Sequence, residues 1–210
     1  MVGNLWVRLP SDWIDKQGLR QLSWKHGGIG ADNTAALMLL TAIGHTTDQD
    51  TGESRCTYDD LCAATGLSRA KISKGLTVLK QLAVLEEGPG RSAYRLANFG
   101  PGHHWAKLPT KSMYSAAGRI TAYAHFRLRQ QIELDAMKLF FLFLARRSRD
   151  SNRAIIGYDK IQEYTGIHRE RINSATSLLV TNQLIITEST TSTADDRYIA
   201  NAYQIGRAHV

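Results

Sequence analysis

Residues 57–85 read TYDDLCAATGLSRAKISKGLTVLKQLAVL, and they contain the signals of two helices with a turn between them. A short helix is predicted to begin at Tyr58, because the two aspartates that follow are favoured in the first turn of a helix. Gly66 then supplies the residue best suited to a tight turn, and Ser68 can cap a second helix. In that second helix, apolar residues or glycine recur at 72, 75, 76 and 79, which is helical spacing. The stretch therefore predicts a helix-turn-helix.

The same pattern returns 100 residues later, where residues 157–185 read GYDKIQEYTGIHRERINSATSLLVTNQLI. Upstream, the pieces WVRLP (6–10) and WAKLP (105–109) match at a shift of 99. The order of signals is the same in both halves, which indicates a duplication of one unit. Breaker residues at 98–104 separate the copies. We therefore predict one domain over residues 1–100 and a second over 101–210.

A hairpin is predicted to close each copy. In the first, strand-like pieces at 83–87 and 92–96 flank a turn-forming Gly-Pro-Gly-Arg sequence. The second hairpin is longer, over roughly 186–205. Apolar helices are predicted before each helix-turn-helix, at 33–44 and 134–145. The predicted fold class is mainly α with small β-wings (α+β), built as two tandem winged helix-turn-helix domains.

The second apolar helix carries the run Leu139–Leu144, which is hydrophobic on every side. Such a helix must be enclosed from more than one direction. Packing within its own domain would explain it, and so would cover by the other domain or by a second copy of the chain. The amphipathic segment 120–132 is the predicted interface in the second case.

The chain is strongly basic. It has 26 lysines and arginines against 19 acidic residues, a formal charge of +7, and a pI of about 9.5. Residues 101–210 carry most of the excess, with 15 basic and 9 acidic residues. In the first half the excess is local, since 65–82 contains four basic residues and no carboxylate. This distribution favours a nucleic-acid partner.

Composition indicates a folded chain, with 43% hydrophobic and 21% charged residues. Its apolar runs are far shorter than the roughly 20 residues needed to span a bilayer. The two cysteines make neither a disulfide framework nor a zinc ligand set. We expect a soluble, cytoplasmic protein with no membrane partner and no bound metal.

A helix fits the major groove of DNA, where basic and small polar side chains reach base edges and phosphates. The polar faces of the two second helices are therefore the predicted DNA-binding surfaces. Basic residues at the wings and in a loop after the second apolar helix extend them. The alternative for that loop is that its arginines bind no DNA and are solvated charges that keep the neighbouring apolar helix soluble. The predicted residues are Ser68, Arg69, Lys71, Ser73, Lys74, Thr77, Arg91, Arg146, Arg147, Arg149, His168, Arg169, Arg171, Asn173 and Arg197.

Catalytic motifs are not recognisable in the sequence. The glycine-rich stretch at 26–30 lacks the Gly-Lys-Ser/Thr ending of a phosphate-binding loop. His103 and His104 are better explained as part of the join, and the adjacent aspartates at 59–60 and 195–196 as a helix start and a turn. No nucleophile and base stand in a known arrangement. We expect a protein that is not an enzyme and needs no cofactor.

The piece WVRLP (6–10), the apolar helix, TGLSRAKISK (65–74) and LAVL (82–85) together resemble the winged-helix N-terminal domain of phage and plasmid replication-initiator or replisome-organiser proteins. The duplicated layout is similar to tandem winged-helix plasmid initiators, which bind repeated origin sites and often repress their own promoter. One departure is Ala83 and Gln183, where such domains commonly have glycine before the first wing strand.

The expected function is sequence-specific binding of double-stranded DNA by a protein of a mobile element, in plasmid or phage replication initiation or maintenance. A transcriptional repressor with the same DNA-binding mode is the first alternative. A winged-helix protein-interaction scaffold is the second, since a fold does not determine a function. Besides double-stranded DNA, the candidate partners are a second copy of the chain and the replication or transcription machinery.

Overall fold

The computed structural model describes residues 5–25, 27–110, 113–148, 150–188 and 201–205. We refer to residues 1–100 as the first unit and to 101–210 as the second. The first unit contains β1 (Trp6–Pro10), α1 (Asp12–Asp15), α2 (Gly18–Gln21), α3 (Ile29–Thr46), β2 (Glu53–Arg55), α4 (Tyr58–Thr65), α5 (Arg69–Gln81), β3 (Leu85–Glu87) and β4 (Ala93–Leu96). The second contains β5 (Trp105–Pro109), a 3₁₀ turn (Thr121–Tyr123), α6 (Gln131–Arg146), β6 (Arg153–Ile156), α7 (Tyr158–Thr165), α8 (Arg169–Thr181), β7 (Ile185–Glu188) and β8 (Asn201–Ile205).

The fold is α+β, and a helix-helix-hairpin order occurs twice, as α4-α5-β3-β4 and as α7-α8-β7-β8. This confirms the predicted pair of winged-helix-like units. Each helix pair turns at a glycine in the left-handed region, with φ of 74° at Gly66 and 69° at Gly166. Ser68 caps α5 by accepting a hydrogen bond from the Lys71 amide, whereas the side chain of His168 makes no such bond to α8.

The wings are three-stranded antiparallel sheets. In the first unit the order is β2-β4-β3, and Leu85 pairs with Leu96 across the predicted hairpin. In the second unit the order is β6-β8-β7, and the tip of this wing lies outside the described residues. The apolar helices begin earlier than predicted, at Ile29 and Gln131. Gln130 and Glu133 form a capping box at the second of these starts.

The two Leu-Pro pieces of the repeat pair with each other. Strands β1 and β5 form an antiparallel ribbon in which Arg8 lies opposite Lys107. Trp6 and Trp105 stack on the exposed face of this ribbon, with ring centroids 5.8 Å apart. Equivalent residues of the two units, Arg8 with Lys107 and Trp6 with Trp105, therefore lie next to each other in the ribbon.

A single apolar core runs through both units. Helices α3 and α6 pack against each other at its centre, α5 packs on α3, and α8 packs on α6. Phe140, Phe141 and Phe143 are fully buried. The helix that is hydrophobic all round is therefore enclosed partly by its own unit and partly by the first unit.

The segment 120–132 lies against the first unit, as the interface interpretation required. It contains a 3₁₀ turn, and the Tyr123 hydroxyl donates a hydrogen bond of 2.7 Å to the Thr41 hydroxyl of α3. Among the described residues, no helix combines the length and apolar character needed to cross a membrane.

Candidate nucleic-acid interface

Helix α5 divides into a buried stripe and an exposed face. Ile72, Gly75, Leu76 and Leu79 are buried, and the helix packs on α3. Among the predicted DNA-binding residues of this helix and its cap, Lys71 is half-buried and the others are exposed: Ser68, Arg69, Ser73, Lys74 and Thr77. Because the buried stripe fixes its rotation, α5 presents a constant polar face to solvent.

We call α5 and α8, the second helices of the two helix-turn-helix motifs, the recognition helices. The first arginine of each contacts side chains of the preceding helix. Arg69 forms an ion pair with Asp59 and lies over the ring of Tyr58, 5.9 Å from its centroid. In the second unit, Arg169 pairs with Asp159 at 3.5 Å and lies over Tyr158 at 5.2 Å. The same contact thus occurs in both units, and it orients each guanidinium at the start of its helix.

The third residue of each recognition helix is tied to the central helix of its unit. Nζ of Lys71 lies 2.6 Å from a carboxylate oxygen of Asp32, and Nε of Arg171 lies 2.9 Å from one of Asp135. Burial raises the pKa of the Asp135 carboxyl, and the positive charges of Arg171 and Lys138 act against that rise. Each ion pair therefore joins the start of α5 or α8 to the helix on which it packs.

Acidic side chains from outside residues 65–82 lie on the exposed face of α5. The sequence 65–82 contains no carboxylate, but the fold brings Asp59 from α4 and Asp32 from α3 to its basic residues. Both acids lie outside that window, so only the tertiary structure reveals them. Part of the positive charge on this face is neutralised within the chain.

The exposed side chains of α5 that make no close ion pair with a described residue include Lys74 and two hydroxyls. Lys74 is 62% exposed and only distantly paired, 3.9 Å from Asp32. Ser73 and Thr77 lie beside it and face a groove of about 330 Å³ between α5 and the first wing. At the tip of that wing, Arg91 is exposed and makes no ion pair with any described residue.

On α8 the exposed residues include Asn173, Ser174 and Ser177. The Asn173 side-chain oxygen accepts a hydrogen bond from the Tyr158 hydroxyl. His168 is exposed at the start of the helix. The two recognition faces therefore differ in chemistry: one lysine with hydroxyls on α5, and an amide with hydroxyls on α8.

Two residues of the predicted basic loop, Arg146 at the end of α6 and Arg147 after it, contact other side chains of the protein. Nη2 of Arg146 lies 2.5 Å from Asp15, and its guanidinium stacks 4.4 Å from the Tyr164 ring centroid. Arg147 donates a 2.7 Å hydrogen bond to Asn152, and burial lowers the pKa of its guanidinium. Arg149 and Arg197 lie outside the described residues.

Two histidines of the join lie against α1. Nδ1 of His103 is 2.6 Å from Asp12, and Nδ1 of His104 is 3.1 Å from Asp15. The ligating atoms of Asp12, Asp15 and His104 lie within 4.8 Å of one another, so they are the described residues best placed to hold a metal ion. Hydrogen bonds between the histidines and the aspartates explain why these side chains lie close together. The same bonds hold residues 103 and 104 of the join against α1.

Two arginines that the sequence did not single out lie at the helix-turn-helix turns. Arg119 of the second unit lies over Gly66, and Arg20 of the first unit contacts Gly166. At a shift of 99, Arg20 aligns with Arg119. This alignment could have identified the two arginines as equivalent positions of the repeat. It does not indicate that each arginine contacts the other unit.

No protein-family model matches the chain, and a search of curated proteins finds no significant match.

Proposed function

We propose that this protein binds specific sequences of double-stranded DNA by placing α5 and α8 in the major groove. The supporting observation is the repeated unit itself: a helix-turn-helix followed by a wing, with the second helix buried on one side and polar on the other. Helices of this kind present their N-terminal residues to base edges, while the wing and the preceding helix lie near the backbone.

The exposed residues suit base recognition. Lys74 can donate to the guanine acceptors, and Asn173 can bind adenine in bidentate fashion once the Tyr158 hydroxyl is displaced. Hydroxyls at Ser73, Thr77 and Ser177 serve bases or phosphates equally. Because these sets differ, the two helices would read different sequences.

The common core supports simultaneous binding by both helices. The packing order is α5, α3, α6, α8. Neighbouring packed helices lie 8–10 Å apart, so the three intervals place α5 and α8 within about 30 Å of each other where they pack. One turn of B-DNA is about 34 Å long, so this span is comparable with the distance between successive major grooves on one face of the duplex.

Net charge and resemblance add the biological setting. The charge of +7 favours phosphate contact, and Arg91 extends the basic surface at the first wing. The resemblance to plasmid and phage initiators points to replication initiation or maintenance of a mobile element. Transcriptional repression through the same binding mode is the alternative role.

A protein-interaction scaffold is the second candidate, and the ribbon β1-β5 is the observation that favours it. Trp6 is 39% exposed, Trp105 is 38% exposed, and Leu5 beside them is 66% exposed. Exposed aromatic and apolar groups in one patch mark contact surfaces for other proteins. In that role the recognition helices would not bind DNA.

The test is selection of duplexes from a random library with the full chain, followed by fluorescence anisotropy at rising salt. Binding should select a sequence, and log affinity should fall steeply with log salt concentration. Lys74→Ala should weaken specific binding by roughly 1–3 kcal/mol if the side chain reads a base. Lys16→Ala, which removes the same charge from an exposed position outside the recognition helices, is the matched control. A chain that enriches no sequence and binds duplex weakly at low salt would support the scaffold.

A further inference from the structure

The turn of the first helix-turn-helix is covered by a residue of the second unit. The backbone amide of Ile120 donates a 2.9 Å hydrogen bond to the carbonyl of Ala64, near the end of α4. This bond places the preceding residue, Arg119, directly over Gly66, where a methyl group would collide with the guanidinium. Gly66 lies two residues before Ser68, the cap of α5. The Arg119 guanidinium is therefore at the start of the first recognition helix.

The second helix-turn-helix receives a residue of the first unit in return. Cγ of Arg20 lies 3.4 Å from the position that a Cβ on residue 166 would take. Nη1 of Arg20 donates a 3.1 Å hydrogen bond to the Glu163 carbonyl in the last turn of α7. Helix α2, which carries Arg20, packs on α7. The exchange between the units is thus reciprocal.

Arg20 and Arg119 differ from basic residues of the recognition helices in whether a carboxylate of the chain neutralises their charge. Arg69, Lys71 and Arg171 all pair with carboxylates of the chain. Neither Arg20 nor Arg119 forms an ion pair with any residue of the described part of the chain, and both are exposed. Each therefore presents a full positive charge and several N–H donors to whatever approaches the turn.

The backbone of Arg119 is held in place before any ligand arrives. Ser115 donates its amide to the Arg119 carbonyl at 2.8 Å and accepts from the Arg119 amide through its hydroxyl at 3.3 Å. Tyr114 and Ile120 form a β-bridge on either side of this turn. Less ordering is then needed when the guanidinium binds an anion.

We propose that each recognition helix takes a phosphate-binding arginine from the other unit, Arg119 at α5 and Arg20 at α8. This inference rests on the proposed function, because the N-terminal end of a recognition helix is the part that enters the groove beside the backbone phosphates. Guanidinium groups bind phosphate through charge and paired donors. Neither unit is then a complete DNA-binding module, and the fused pair is the smallest chain that carries both contacts.

The experiment uses the full chain and the duplex that it selects from a random library. Arg119→Gln and Arg20→Gln remove the charge and keep a polar, unbranched side chain that can still donate a hydrogen bond. Each should weaken binding roughly tenfold and reduce the log-log salt slope by about 1. Arg129→Gln and Lys16→Gln remove one charge from exposed positions that do not contact Gly66 or Gly166, and they should change both quantities much less. Arg119→Lys should recover part of the loss.

Phosphate-ethylation interference locates the contact. At the α5 half-site, ethylation of one phosphate should block binding of the wild-type chain but have no further effect on Arg119→Gln. At the α8 half-site, ethylation of the matching phosphate should have no further effect on Arg20→Gln. If both variants bind like their controls, the inference is overturned and the proposed function stands. A lower melting temperature with an unchanged salt slope would show that the arginines only cap α4 and α7. If the wild-type chain selects no duplex, the proposed function fails and this inference fails with it.

Discussion

Nδ1 of His45 lies 2.8 Å from the hydroxyl oxygen of Tyr114, and Nε2 of the same ring lies 2.8 Å from the carbonyl oxygen of Pro109. His45 belongs to α3, so both bonds join the first unit to the second. A neutral imidazole satisfies the pair by donating from Nε2 to the carbonyl and accepting the Tyr114 hydroxyl proton at Nδ1. Burial lowers the pKa of His45 to about 4, against a hydrogen bond to Pro109 that acts to raise it.

Stability should therefore fall as the pH is lowered below about 6.5. The folded pKa lies under the unfolded value, so between about 4 and 6.5 the unfolded chain binds a proton that the folded chain does not. The free energy of unfolding should drop by about 2 kcal/mol from this group between pH 7 and pH 5. His45→Gln should lack that part of the drop in urea titrations at the two pH values. His125→Gln, at an exposed position, should keep it. An equal drop in wild type and His45→Gln would contradict the assignment.

Ala83 and Gln183 occupy the left-handed backbone region, with φ of 51° and 58°. Each follows a recognition helix and precedes the first wing strand, the position where similar winged-helix domains commonly have glycine. An L-residue in this region costs roughly 1–2 kcal/mol of backbone strain. Glycine removes that strain, but it loses more conformational entropy on folding, which cancels part of the gain. Ala83→Gly and Gln183→Gly should each raise the free energy of unfolding by about 0.5–1 kcal/mol. Ala63→Gly, on the exposed side of α4, should lower it by about 1 kcal/mol. A loss of stability in all three variants would contradict the strain argument.

The secondary-structure order of both units could be predicted from the sequence because its signals are local. Gly66 and Gly166 mark the turns, and the helical stripe of α5 is visible in 13 consecutive residues. The apolar helices were predicted to start too late. Gly28, in a left-handed conformation, ends the preceding loop before Ile29, so the polar residues that follow belong to the helix and not to its entry.

The contacts between the units could not be predicted from the same repeat. A match between two copies shows that they share a fold, but it does not show whether they lie apart or close on each other. The pairing of Arg8 with Lys107, and the contacts of Arg119 with Gly66 and of Arg20 with Gly166, join positions that lie far apart in the sequence. Such contacts leave no local pattern. The ion pair of Lys71 with Asp32 was missed for the same reason.

Helix α5 lies close to α3 at Gly75. A Cβ added there would lie 2.7 Å from Cδ1 of Leu39 and 3.1 Å from the backbone nitrogen of Ala36. Overpacking typically costs 1–3 kcal/mol, whereas replacing a helical glycine by alanine gains about 1 kcal/mol. Gly75→Ala should thus lower the free energy of unfolding by up to about 2 kcal/mol. Ser73→Ala, on the exposed face of the same helix, should stay within about 0.5 kcal/mol of wild type. A stabilised Gly75→Ala would show that the two helices have room to separate.

Asp59 should restrain DNA binding in the wild-type chain. Its carboxylate is exposed, pairs with Arg69, and stands where a phosphate could take its place. Asp59→Asn should therefore strengthen binding to the selected duplex severalfold, with a steeper dependence on salt, while Arg69→Ala weakens it. In the double variant the gain from Asp59→Asn should shrink, because there is no arginine left to release. Anisotropy measurements on the four proteins make a complete cycle, and full additivity would contradict the coupling.

The two recognition helices should require unlike half-sites at one fixed spacing. The helix starts differ, Ser-Arg-Ala-Lys at 68–71 against His-Arg-Glu-Arg at 168–171, so the preferred site is asymmetric. A homodimer of the chain would prefer an inverted repeat of that composite site. Because α3, α6 and the β1-β5 ribbon fuse the units, the chain cannot adjust the distance between α5 and α8. Binding of the second half-site is then intramolecular and strong only at the matching spacing.

Inserting about 5 base pairs between the half-sites moves one of them to the opposite face of the duplex, since a turn is about 10–10.5 base pairs. Affinity should fall by about 100-fold or more, toward that of a single half-site.

Inserting about 10 base pairs restores the face but adds about 34 Å, which a fused core cannot span, so affinity should stay low. A flexible linker would instead allow recovery at 10 base pairs, and that recovery would contradict a rigid pair. Replacing the α8 half-site with unrelated sequence at the original spacing is the matched control, and it should lower the affinity to the same level as the insertion of about 5 base pairs. A footprint confined to one half-site, with affinity unaffected by every insertion, would mean that only one of the two helices binds DNA.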